Sequence, residues 1–243
     1  MTTYLSEHEG TKHRILSAAK KEFAEKGFTG ARMSSIARAA GVNQALIHYY
    51  YSSKINIYIN IFRQLMGNHF EKYVTLFNDE FESWNAAPDI KLCGMLYAMV
   101  NGHLNVHDED LHRIILHEIA AGKGVIYGLI NHYLQPQITN LEKVIREGIE
   151  LGMFETSDPV LLIIKYISFL NHLSLWAEFL QEPDKHEELY PSRSIILYDF
   201  ITELAFKELC PPAMQLKIPV LDIDKKNRIN ALLEKMKNEI NTY

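Results

Sequence analysis

The chain has 243 residues, 47% of them hydrophobic and 23% charged, with a formal net charge of −5. This is the composition of a globular protein long enough to bury a sizeable core, and it excludes a disordered chain or a disulfide-rich scaffold. Apolar runs such as Val160–Ile164 fall far short of the roughly 18 residues a membrane span needs. Met1–Glu7 lacks the basic and apolar regions of a signal peptide, which predicts a cytoplasmic protein. Cys93 and Cys210 lie far apart and suggest neither a metal knuckle nor a disulfide framework; both read as small core residues.

The charge is unevenly spread. Residues 1–54 hold eight Lys/Arg against four Glu, a balance of +4, which leaves −9 for the remainder. A basic end on an acidic body suits a headpiece that faces phosphates. A solvated basic helix would explain the charge about equally well, so the local motifs must decide.

Thr11–Lys26 reads as a first helix, with Ile15, Ala18, Ala19 and Phe23 on one stripe and Lys12, Lys20, Lys21 and Lys26 off it. Gly27 is expected as its left-handed terminator, with Phe28 folding back beneath it. A second helix, about Arg32–Ala40, has a narrow apolar face of Ile36, Ala37 and Ala40 and ends at Gly41. A third begins at the N-cap Asn43, with Val42 and Ile47 placed as a hydrophobic staple. Ile47 and Tyr51 should face the core, leaving Gln44, Ala45, His48 and Tyr49 outside. Gln pairs bidentately with adenine, Ala touches a thymine methyl, and His donates to guanine or phosphate. Ser53 can cap a fourth helix opening with Lys54, a natural phosphate clamp. Two helices about a tight turn at Gly41-Val42, the second exposing polar and aromatic groups, form the layout of a helix-turn-helix DNA reader.

Residues about 9–60 resemble the DNA-binding domain of TetR-family transcriptional regulators. The resemblance is carried by Ala19, Phe23, Gly27-Phe28, Ile36-Ala37, Ala40-Gly41-Val42, His48–Tyr51 and Ser53-Lys54. Three positions depart from that pattern: family members often have Tyr where this chain has His48, Phe where it has Tyr51, and Glu where it has Ile55-Asn56. The resemblance implies that the third helix enters the major groove while the second helix and Lys54 hold the backbone. Carried onto matching positions, Gln44, Ala45 and His48 meet base edges. Arg32, Ser34, Asn43, Tyr49 and Lys54 complete the DNA-binding set, with Arg32, Ser34, Tyr49 and Lys54 assigned to phosphates or nearby bases. The domain is placed at 9–69, with the helix-turn-helix at about 32–51.

The rest of the chain, 70–243, is helical in pattern, giving an all-α fold overall. Ile55–Trp84 reads as one long connecting helix, Pro88 to about Val106 as the next, and Asp108–Ala121 as another. Residues 123–152 form a longer pattern that Pro136 should kink or split and Gly152 should end. Asp158-Pro159 opens a helix that is apolar nearly all round, and about Leu189–Leu209 repeats that theme. A helix without a polar face needs partners on two sides. By the resemblance, about 158–180 and 189–209 form a four-helix homodimer interface; the alternative is that they are interior helices of a monomer. A two-fold pair of readers predicts a pseudo-palindromic operator in double-stranded DNA. An appended amphipathic helix at about 223–241 lies on the body or reaches across the dimer. The resemblance also implies a ligand-responsive repressor, released by a small-molecule effector. Met66, Phe70, Tyr97, Tyr127, Tyr166 and Phe169 are the candidate pocket residues, and their apolar character points to a lipophilic effector.

A rival reading comes from His103, His107 and His117 among nearby acidic residues, as a metal sensor or metal-dependent enzyme. His117-Glu118 opens like a zincin motif, but Ala121 stands where its second His should be. No glycine-rich phosphate loop, nucleophile elbow or dinucleotide fingerprint is present, so no catalytic residue, resident metal or cofactor is assigned.

Overall fold

Capping residues set most of the helix boundaries in the computed structural model. It describes residues 2–66, 68–105, 108–122, 124–180, 186–210 and 217–241, with side chains described for 10–64, 72–103, 108–122, 124–132, 134–170, 172, 195–210 and 217–239. Among these the chain forms α1 Thr2–Gly30, α2 Met33–Ala40, α3 Gln44–Tyr51, α4 Lys54–Met66, α5 Asn68–Ser83 and α6 Pro88–Asn105. Then follow α7 Glu109–Ala120, α8 Tyr127–Glu150, α9 Pro159–Leu180, α10 His186–Leu209 and α11 Ile223–Asn241. The fold is all-helical, with no strand among the described residues.

Asp108 caps α7 by accepting the Leu111 N–H at 2.9 Å, and Asp158 caps α9 through the Leu161 N–H at 2.9 Å, with Pro159 at the first helical position. Gly152, at φ 70°, ends the turn after α8, where the Met153 N–H returns to the Gly148 carbonyl at 2.8 Å. α8 continues through Pro136 rather than splitting there: a proline removes only one ladder hydrogen bond, and the flanking turns keep theirs. The expected connecting helix over Ile55–Trp84 is described as α4 and α5, on either side of residue 67, which lies outside the described residues.

The chain divides into two compact units. The first joins Met1–Glu71 with Asp108–Tyr133 and Ile240–Tyr243, so α7 packs with the headpiece rather than with the body to which its position in the chain assigns it. Its centre is made by buried Ile15, Ala19, Phe23, Ile36, Ile47 and Ile57, with the Phe23 and Tyr58 rings edge to face at 4.6 Å. The second unit, Lys72–His107 with Leu134–Glu239, packs α6, α9 and α10 around Leu92, Cys93, Val100, Ile145, Ile201 and Phe206. Burial raises the Cys93 thiol to about 12, so it stays an inert core group.

Within the second unit α11 lies in cis. Its Ile229 and Leu233 are buried against Phe81 and Leu221, Arg228 pairs with Glu80 at 2.7 Å, and Lys72 reaches Glu239 at 2.9 Å. Removing the buried Ile229 side chain leaves a cavity that long helices cannot collapse to fill. Ile229→Ala should destabilise the second unit by about 3 kcal/mol in denaturant unfolding, whereas truncating the exposed Val220 should have little effect.

Candidate nucleic-acid interface

The headpiece is built on a break in α1. Gly27 has φ 64° and ψ 177°, a non-helical conformation inside the span. The expected positive φ is present, but ψ lies outside the left-handed helical well, so the chain turns without a simple left-handed cap. A side chain would also be crowded, because a Cβ on Gly27 would stand 3.3 Å from the His117 ring. That ring contacts the Ala24 carbonyl through Nε2 at 3.2 Å, and Lys20 pairs with Asp108 at 2.7 Å. Two contacts therefore fasten α7 along α1.

The break leaves α1 carbonyls without helical partners, and Lys54 collects them. Its Nζ donates to the carbonyls of Phe28 at 2.7 Å, Ala31 at 3.0 Å and Thr29 at 3.5 Å, and it stands 4.6 Å from the Phe28 ring centroid. An ammonium has three N–H donors, and this geometry directs all of them to main chain. The phosphate-clamp role expected for Lys54 is therefore not what this arrangement offers.

Next to this knot, Arg32 sits extended before α2, its N–H donating to Glu22 Oε1 at 3.2 Å. Gly41, at φ 66° and ψ 35°, closes α2 in the left-handed well, and the Val42 N–H returns to Ala37 O at 3.0 Å. Asn43 Oδ1 then accepts the Leu46 N–H at 2.7 Å, starting α3. Ile47 and Tyr51 point into the core, and Tyr51 Oη donates to the Lys12 carbonyl at 3.3 Å. Ser53 Oγ accepts the Asn56 N–H at 3.3 Å at the start of α4. The tight turn between α2 and α3 is thus fixed by the Gly41 and Asn43 caps, while Arg32 gives α2 no side-chain cap.

A buried brace supports them from behind. Glu118 on α7, 4% exposed, accepts the Tyr58 hydroxyl at 2.8 Å through Oε1 and the Ile126 N–H at 2.9 Å through Oε2. Burial, followed by the hydrogen bond to Glu118, pushes the Tyr58 hydroxyl far above its ordinary value, so it remains a donor. Gly124 allows the close approach, since a Cβ there would stand 2.1 Å from Glu118 Oε2.

On the outer side Arg32, Ser34, Asn43, Gln44, Ala45 and His48 are all exposed, as is Tyr49 at 74%. Asn43 spends its amide oxygen on the cap, which leaves its NH₂ for other contacts. Sequence reasoning passed over Lys12 and Tyr50, which the structure brings together with the ammonium 5.9 Å from the ring centroid. Lys12 is 38 residues from Tyr50 in sequence, so no local pattern signals the pair.

Of the expected pocket residues, Tyr97, Tyr166 and Phe169 belong to the second unit and take different places in it. Tyr166 lines a small apolar pocket in the second unit with Leu96, Met99, Ile145, Leu162 and Leu209. Tyr97 instead receives the Asn230 amide at 3.2 Å on its hydroxyl and packs edge to face on Tyr198 at 5.2 Å. Tyr127 and Phe169 are 55% and 40% exposed, and the side chains of Met66 and Phe70 lie outside the described residues. An aromatic count does not say which face of a helix is turned inward. The metal alternative gains no support. No group of three or more metal-ligating side chains occurs among the described residues, His117 Nε2 is engaged at Ala24, His103 belongs to the other unit, and His107 lies outside the described residues.

Two short helices about a tight turn, the second exposing polar and aromatic groups beside basic residues, define a helix-turn-helix DNA-binding protein. Residues 15–60 match the family model of bacterial regulatory proteins of the tetR family. The chain is 25% identical over 166 residues to the HTH-type transcriptional regulator RutR of Escherichia coli K12, covering 68% of this chain and 74% of that one. It is 26% identical over 141 residues to a fatty acid metabolism regulator protein of Bacillus subtilis, covering 57% and 68%. In fold it is similar to the transcriptional regulator FadR from Bacillus subtilis, crystallised with stearoyl-CoA, at a TM-score of 0.54 and 22% identity, covering 79% of this chain and 96% of that one. Residues 15–60 thus carry a DNA-binding domain of the tetR type, and the chain is a DNA-binding transcriptional regulator. No described helix is long and apolar enough to cross a membrane.

Lys54→Met keeps the aliphatic stem over Phe28 and removes the three carbonyl contacts. It should lower headpiece stability by roughly 1–2 kcal/mol while leaving the salt dependence of DNA binding unchanged. A slope reduced by about one phosphate contact would return Lys54 to the clamp role.

Proposed function

We propose that this chain is a ligand-responsive repressor that binds a pseudo-palindromic operator as a homodimer, with α3 as the reading helix. The observation that carries the reading is the outward face of α3. Gln44, Ala45 and His48 stand exposed on a helix whose other side is fully buried. Arg32, Ser34, Asn43 and Tyr49 flank them, and Lys12 with Tyr50 adds a further cation and ring on the same headpiece. Lys54 acts indirectly, by holding the end of α1.

Dimerisation is supported by apolar residues that the second unit leaves in water. Leu161 and Ile164 on α9, and Ile195, Ile196 and Phe200 on α10, are between 45% and 67% exposed. A monomer seldom leaves so many large apolar side chains on two helices without a partner, and a second copy supplies the same surface by symmetry. One short helix reads few bases, so pairing also raises specificity.

The effector reading is a lipophilic molecule, one that opens and fills the pocket around Tyr166. The walls are aliphatic apart from that one ring, which suits hydrocarbon and offers little to a small polar ligand. The fatty acid metabolism regulator and the stearoyl-CoA complex among the similar proteins agree with that chemistry. Thermal-shift titration with long-chain acyl compounds should stabilise the protein and lower its operator affinity; stabilisation by small polar ligands alone would overturn the effector class.

Selection from a random duplex pool should recover a motif with two-fold symmetry. Gln44→Ala should weaken that site roughly tenfold or more while changing affinity for random DNA little; equal losses on both would remove Gln44 from base readout. Phe200→Asp should convert the dimer to monomer in sedimentation velocity without loss of helicity.

A further inference from the structure

The turn that leaves α3 is strained, and it fixes the chemistry of one reading side chain. Ser52 has φ 62° and ψ −40°, a positive φ that a residue with a Cβ rarely adopts. The Ser53 N–H returns to the Tyr51 carbonyl at 2.6 Å, so residues 51–53 form the rare γ-turn with positive φ. This turn carries the Ser52 carbonyl to within 3.1 Å of His48 Nδ1. A carbonyl oxygen only accepts, so Nδ1 must carry the hydrogen. In a neutral imidazole the other nitrogen, Nε2, is then a lone-pair acceptor. His48 is exposed, and no hydrogen bond reaches its Nε2 among the described residues.

We infer that His48 reads its base as a hydrogen-bond acceptor, selecting an exocyclic amine in the major groove, with the strained Ser52 turn as the device that sets the tautomer. This rests on α3 being the reading helix. The major groove offers two such amines, N4 of cytosine and N6 of adenine, whereas guanine presents only acceptors there. A histidine held in this tautomer therefore turns guanine away at its position, opposite to the donor role that its residue type suggests. The strain at Ser52 has a consequence for readout as well as for the backbone, because a relaxed turn would release the carbonyl and with it the choice of tautomer.

The test is a selection of bound duplexes from a random pool at about pH 8, where free imidazole is neutral, by the wild type, His48→Arg and Ser52→Gly. Arginine only donates, and glycine adopts the same positive φ while keeping the main-chain carbonyl. The expected result is one column of cytosine or adenine for the wild type, unchanged in Ser52→Gly and switched to guanine in His48→Arg. Replacing the selected base by its analogue without the exocyclic amine should then weaken wild-type binding about fivefold, the low end of base-contact discrimination, and leave His48→Ala unaffected. A motif that His48→Arg leaves unchanged, a wild-type preference for guanine at that column, or equal loss on the analogue by wild type and His48→Ala would overturn the inference while sparing the reading helix. Failure to enrich any motif would overturn both.

Discussion

The reading surface depends on how the first helix ends. The segment after the break at Gly27 ends at once, so the carbonyls of Phe28, Thr29 and Ala31 need partners outside a helix. Lys54 is the group that takes them, through Phe28, Ala31 and, at longer range, Thr29. Because Lys54 is also the first residue of α4, the same ammonium fixes where the fourth helix starts relative to the first. α2 and α3 are the short segment between those two fixed points. Their own caps, Gly41 and Asn43, then determine which side chains face outward. The charge needed to close the fold is thus taken from the set that would otherwise meet phosphate.

A segment from farther along the chain completes the headpiece. α7 contributes His117 over Gly27, Asp108 to Lys20, and Glu118 to the Tyr58 hydroxyl. A buried carboxylate with two donors and a glycine at its back is specific in geometry, since any shift of α7 leaves a buried polar group unpaired. The orientation of α4 and the end of α1 therefore depend on where α7 sits.

The second unit divides its apolar surface between an inward and an outward use. Tyr166, Leu162 and Leu209 turn toward a small aliphatic pocket, while Leu161, Ile164 and Ile196, within a few residues on the same two helices, are exposed. α9, apolar nearly all round, thus turns one side to its own core and leaves Leu161 and Ile164 on the other exposed. The appended α11 takes neither role, packing its Ile229 and Leu233 on Phe81 within its own chain.

The local features were legible because their causes are local. The N-cap at Asn43, the left-handed Gly41, the proline start at Pro159 and the inward Ile47 and Tyr51 all follow from backbone chemistry within a few residues, so sequence alone determined the all-helical fold, the helix-turn-helix and its outer face. What only the tertiary structure decided involves partners far apart in the chain. Lys54 bonds carbonyls at 28 and 31, Glu118 accepts from Tyr58, and Tyr127 and Phe169 are exposed. The tautomer of His48 belongs with these, although Ser52 is only four residues away, because a serine at positive φ is a conformation that residue type does not announce. Periodicity reports which side of a helix is apolar; where a polar atom finds its partner depends on how the helices pack.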